Sequence, residues 1–168
     1  MTDLTADRAR ELLDYDPETG VLRWRKPTSN RVKAGSIAGH LDGVGPYKRL
    51  TIRVDGRLYL AHRVAWLIAN GQWPSRELDH ANGDALDNRL ENLREATRAE
   101  NARNVPARKR NRVGLKGVCW DRSKGKWLAS AKHNGRNVYL GRFNTPEEAH
   151  AAWRDFATKN HGDFLRVS

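Results

Sequence analysis

Residues 78–104 read LDHANGDALDNRLENLREATRAENARN, and this stretch decides how the chain is understood. Asparagine and acidic residues crowd it, and its leucines are too few for a plain core element. The pattern predicts a polar loop closing onto a short helix. Thr97 and Glu100 have capping-box spacing, so each side chain can satisfy one orphan backbone N–H at the start of a helix. Asn101 and Asn104 then fall three residues apart, on roughly one face of that helix. Val105-Pro106 ends it, because a proline disfavours helical geometry in the residue before it.

The chemistry centres on Asp79-His80. Hydrolysis of a phosphodiester needs an activated water, a base and a cation to offset charge on the leaving oxygen. A neutral histidine can take the proton from water, and a neighbouring carboxylate can help hold a hard divalent ion. Asn101, presented by the capped helix, could supply a neutral oxygen. Adjacent strand residues point to opposite faces, so the pair must sit at a strand end or bend, which Gly83 permits. As an isolated dipeptide, Asp79-His80 reads more readily as a turn cap beside a hydrogen-bonded polar residue, and only the spacing of the whole segment reverses that.

The full spacing, D-H-x-N-G-D-x-x-D-N-R-x-E-N-L-R-x-x-T-x-x-E-N-x-x-N from Asp79, closely resembles the HNH nucleases, in particular those of phage and intron-encoded homing endonucleases. The resemblance implies a ββα-metal fold, two short strands and a helix pinching one divalent ion, Mg²⁺ or Mn²⁺. It implies His80 as general base, Asp79 and Asn101 as metal ligands, and Asn92 as the residue that orders the loop and helps fix the histidine. Ala81 and Asn82 replace residues that are often apolar and acidic in the family. The upstream runs LLDYDPETGVLRWR, AGSIAG and LYLAHRVAWLIANGQWP are similar to the region preceding the motif in phage members. His62 is therefore expected in the scaffold, with a phosphate or metal contact as the alternative.

Working outward toward the N-terminus, residues 4–13 predict a helix capped by Thr5, with Leu12 and Leu13 inward. A turn at residues 16–20 and a strand at 21–26 follow, then a Gly- and Ser-rich loop with a short strand near 36–39. Asp55-Gly56 predicts a hairpin between strands at 48–54 and 58–60. Val64, Leu67 and Ile68 share one face of a helix at 62–70 that Gly71 terminates.

Toward the C-terminus, residues 106–114 carry a run of basic side chains from Arg108 to Arg112, read either as a solvated tether or as one lying along phosphates. Strands are predicted at 117–120, 127–133 and 136–143, with Asn134-Gly135 turning the second into the third. Thr145-Pro146-Glu147-Glu148 opens a helix with Ala149, Ala152, Trp153 and Phe156 on one face, ending near Gly162. Residues 114–165 are similar to the Apetala-type DNA-binding domain of plant ethylene-response factors, through the early GV, W-x-A, LG-x-F and E-E-A cues. That resemblance implies an exposed sheet face in the major groove. Ser130, Lys132, Asn137 and Tyr139 would face the bases, and Lys116, Arg122, Lys124, Lys126, Arg136 and Arg142 the phosphates. Each basic residue reads equally well as a solvated surface charge. Cys119 and Asn137 stand where the family often carries arginine, which leaves the target sequence open.

Charge agrees with a division of labour. The formal charge is +11, and residues 106–168 hold 14 Lys+Arg against 5 Asp+Glu, whereas residues 1–105 hold 17 against 15. Such a basic segment suits a polyanion. The single Cys119 allows no intrachain disulfide and no multi-cysteine zinc site. No apolar run long enough to span a bilayer and no secretory signal is visible, so a cytoplasmic address, in a bacterial host if phage-encoded, is expected.

The expected architecture is α+β: an HNH nuclease domain at 1–105 (motif core 78–105), a basic linker at 106–113, and an Apetala-type domain at 114–168 with a three-stranded antiparallel sheet on one helix. The expected function is a divalent-metal-dependent endonuclease acting on double-stranded DNA, as a monomer with one ion per active site. The alternatives are a non-catalytic, sequence-specific DNA-binding regulator and an RNA-binding protein.

Overall fold

The computed structural model describes residues 3–44, 48–104 and 113–161. The basic run Arg108–Arg112, the Val105-Pro106 stop and Gly162 lie outside them. The chain divides into two compact units, Met1–Arg98 and Ala99–Ser168, and the division falls inside a short helix, ahead of the expected 105/106 boundary. Both units mix helices with small antiparallel sheets.

In the first unit, α1 (Ala6–Leu12) starts where the Thr5 hydroxyl accepts the Arg8 N–H at 3.2 Å. Leu12 stays helical, but Leu13 turns extended and opens β1 (Leu13–Tyr15), paired antiparallel with β2 (Leu22–Trp24). Both leucines are still buried, because the switch from helical to extended backbone keeps them on the core side. The expected strand near 36–39 is a looser edge on β2, carrying a single bridge between Arg23 and Ile37. The true strand, β3, lies at His40–Asp42.

It joins β4 (Arg49–Val54) and β5 (Arg57–Leu60) in the order β3-β4-β5. Asp55 and Gly56, at φ 47° and 81°, make the tight turn between the last two. α2 (Ala61–Asn70) buries Val64 and Leu67, and Gly71 at φ 78° caps it by donating to the Leu67 carbonyl. One core joins these elements through Leu12, Leu13, Leu22, Trp24, Ile52, Val54, Val64 and Leu67. Fully burying a side chain of this size stabilises by about 1.5–3 kcal/mol. The remaining pair, β6 (Glu77–His80) and β7 (Leu93–Ala96), forms its own two-stranded ribbon. The helix α3 (Arg98–Arg103) follows it in the chain.

The second unit orders its strands β10-β9-β8, from β8 (Val118–Asp121), β9 (Lys126–His133) and β10 (Arg136–Phe143). Asn134 and Gly135 both take positive φ at the hairpin. α4 (Pro146–His161) opens with reciprocal bonds, Glu148 N–H to the Thr145 hydroxyl and Thr145 N–H to the Glu148 carboxylate. Small residues let it lie close on the sheet: Ala129 and Ala131 on β9 meet Ala149, Trp153 and Ala157. Gly117, at φ 73°, sits directly under the Trp153 indole, leaving no room for a side chain.

Candidate functional site

Antiparallel pairing of β6 with β7 sets Asp79 opposite Arg94 and His80 opposite Leu93. Asp79 is 4% exposed, and both Nε and Nη2 of Arg94 donate to its Oδ2, at 2.9 and 2.8 Å. A carboxylate this deep needs such a partner, since an uncompensated buried charge costs several kcal/mol. His80, the last residue of β6, is 8% exposed. Its carbonyl accepts from Gly83, whose φ of 72° turns the chain away at once. The pair therefore sits at a strand end, where alternation no longer dictates direction.

The loop from Asn82 to Asn92 is built from side-chain to backbone bonds. Asn92, 5% exposed, accepts the Asn82 N–H on Oδ1 at 2.9 Å and donates from Nδ2 to the Asp87 carbonyl at 2.7 Å. Asn82 donates to Asp87 Oδ2, and Asn82 and Asp84 accept from the backbone N–H two residues on. The Arg89 guanidinium beside Asp87 holds that carboxyl down at about 2. Asn92 thus ties the Asn82 N–H to the Asp87 carbonyl across the loop. One side chain that meets His80 is that of Asn88, 2% exposed, whose Oδ1 lies 3.1 Å from His80 Nε2. The sequence reading missed Asn88, because in a segment this rich in asparagine nothing distinguishes it from its neighbours.

His62, on α2, packs its ring edge-on against His80 with centroids 5.0 Å apart. Burial, then the nearness of His80, Arg63 and Arg49, pushes its pKa down to about 4, so it is neutral near pH 7. Asn101 lies on α3, within the second compact unit, and is half-buried. Among the described residues, no three His, Cys, Asp or Glu side chains gather into a metal-ligating group.

Residues 59–103 match the HNH endonuclease family. The likeness is confined to this segment. It takes in α2 with His62, the β6–β7 ribbon and α3. The chain is also similar to Protein 3.8 of Escherichia phage T7, 36% identical over 76 residues that make up 45% of this chain and 63% of that protein. The match thus spans less than two thirds of that relative. No solved structure matches the chain. The HNH match ends before the second unit's sheet, whose residues were singled out on other grounds.

That sheet turns one face to α4 and the other outward. Ser130 and Lys132 on β9 pair with Tyr139 and Asn137 on β10, and all but the half-buried Ser130 are exposed. Strict alternation would send Arg142 to the helix side, opposite Tyr139. A bulge between Tyr139 and Gly141 inserts Leu140 into the core and returns Arg142 to the outer face. There its guanidinium stacks 5.4 Å from the Tyr139 ring and donates to Asp121 at 2.9 Å. Arg122, Lys124, Lys126 and Arg136 are exposed around the sheet's ends, with Lys126 donating to Asn144. Lys116 is half-buried and its carbonyl contacts His150, so it is the least accessible of the set. Among the described residues, no helix is long and apolar enough to cross a membrane.

Proposed function

We propose that this chain is a divalent-metal-dependent endonuclease that hydrolyses phosphodiester bonds in double-stranded DNA, with His80 as its general base. The observation that carries this reading is the coincidence of the HNH match with a preorganised corner, in which a buried histidine ends a strand beside a buried carboxylate. His80 takes one proton from a water molecule. The water oxygen forms the new bond to phosphorus, the P–O bond to the leaving oxygen breaks, and that oxygen takes a proton from solvent. Asn92 keeps the loop beside the base in place.

Asp79 and, by the motif spacing, Asn101 would hold the ion. A set of one carboxylate and one amide oxygen, both hard donors, fits Mg²⁺ or Mn²⁺ retaining most of its waters. When bound, the ion supplies positive charge at the phosphate and the leaving oxygen. In the second unit, the outer sheet face with Ser130, Lys132, Asn137, Tyr139 and Arg142 supports an Apetala-type role in holding duplex DNA. Lys116, Arg122, Lys124, Lys126 and Arg136 would contribute charge to the phosphates.

Supercoiled plasmid incubated with Mg²⁺ or Mn²⁺ tests the reading. Nicking or cutting is expected, lost with chelator and reduced at least a thousandfold by His80→Ala, while DNA binding persists. Full activity in that variant would sink the mechanism, and tight binding without any cutting would favour a regulator.

A further inference from the structure

The peptide around Asn88 is gripped from the far end of the same unit. The Tyr15 hydroxyl donates to the Asn88 carbonyl at 2.8 Å, and the Leu90 N–H donates to the Pro17 carbonyl at 3.0 Å. Between these two bonds lies Gly20, at φ 73°, where a Cβ would fall 2.5 Å from Arg89 N and 2.6 Å from the Asn88 carbonyl carbon. The turn doing the gripping is itself braced. Asp16 accepts from the backbone of Glu18 and Thr19 and from the Thr19 hydroxyl, and its carbonyl accepts from Gly20. On the motif side, Asn92 fixes the carbonyl immediately before Asn88. Asn88 thus has little freedom, and its side chain is directed at His80 Nε2.

We propose that Asn88 is a positioning residue that holds His80 in the tautomer with its proton on Nε2, and that the N-terminal turn at residues 15–20 keeps Asn88 in place to do so. The amide oxygen accepts the Nε2 proton, which makes Nδ1 the basic nitrogen of the neutral ring. This inference rests on the nuclease reading for its catalytic meaning, but its structural content can be judged without any cleavage. An amide turned the other way, donating from Nδ2, would fix the opposite tautomer. Orientation is therefore the point at issue.

The experiment is nitrogen-15 NMR of the His80 ring in the full chain at pH 8, alongside plasmid-cleavage kinetics, for the wild type, Asn88→Asp, Asn88→Ala and Tyr15→Phe. Asn88→Asp presents only acceptor oxygens and should keep the Nε2–H tautomer. Asn88→Ala should leave a mixture of tautomers and lower kcat roughly 10–100-fold with KM little changed, the usual range for supports of this kind. Tyr15→Phe removes one hydroxyl from the grip and should move both readouts the same way by a few-fold. A wild-type ring protonated on Nδ1, or an Asn88→Ala ring with unchanged tautomer, would overturn the proposal. An unmoved Tyr15→Phe ring would overturn the part given to the turn. Wild-type protein that cuts no plasmid would count against the nuclease reading, while the ring spectra still decide this one.

Discussion

The β6–β7 and β9–β10 hairpins carry the residues of greatest interest, and they hold them in opposite ways. In the first, Asp79, His80, Asn88 and Asn92 are all buried and locked by side-chain hydrogen bonds. In the second, Lys132, Asn137, Tyr139 and Arg142 are exposed on a sheet whose stability comes from its other face. The difference teaches where a substitution should hurt. A buried polar network is worth most when complete and leaves unsatisfied groups when broken. An outward face can lose a side chain with little cost to the fold.

The sharpest way to break this contrast is Asn92→Ala. It strands the Asn82 N–H and the Asp87 carbonyl, each costing about 1–3 kcal/mol when left unpaired. We expect the first unit to lose about 2–4 kcal/mol, read as a lower midpoint in chemical denaturation. A loss under about 0.5 kcal/mol would mean that the loop is held by something other than these bonds.

Acid probes the same region more gently. The folded-state pKa of His62 lies below its unfolded value, so the unfolded chain binds the extra proton first as pH falls. Its contribution is fully present above about 6.5 and is lost between there and about 4. The first unit should weaken by on the order of 2–3 kcal/mol across that window, and His62→Gln should flatten the slope. An unchanged slope in that variant would remove His62 as the cause. The smallest effect on stability belongs to Arg142→Ala, within about 0.5 kcal/mol. On DNA it should weaken binding several-fold and reduce the salt slope by about 1. A large stability loss there would erase the contrast between the hairpins.

The two hairpins also differ in how far they could be read from the sequence. For β9–β10, alternation and Asn134-Gly135 placed the strands and both faces almost to the residue. The bulge escaped, because a one-residue insertion leaves no mark in hydrophobic pattern. The four-residue strands of β6–β7 are too short and too polar for periodicity, so that ribbon was expected only through the family resemblance. Asp79, His80 and Asn92 came from the motif, whereas Asn88 became visible only through its contacts. The α1–β1 junction failed for another reason: Leu12 and Leu13 are both buried, and a pair of leucines reads the same whether the second is helical or extended.

Gly20 joins the start of the first unit to the peptide after Asn88. Contacts between residues so distant along the chain close a large loop and so carry an entropic cost that local structure does not repay. The ribbon that bears His80 should therefore reach its final arrangement late in folding, after the N-terminal turn has docked. A peptide cut down to the motif would retain its residues without retaining that arrangement, and a graft into another scaffold would have to bring the turn with it.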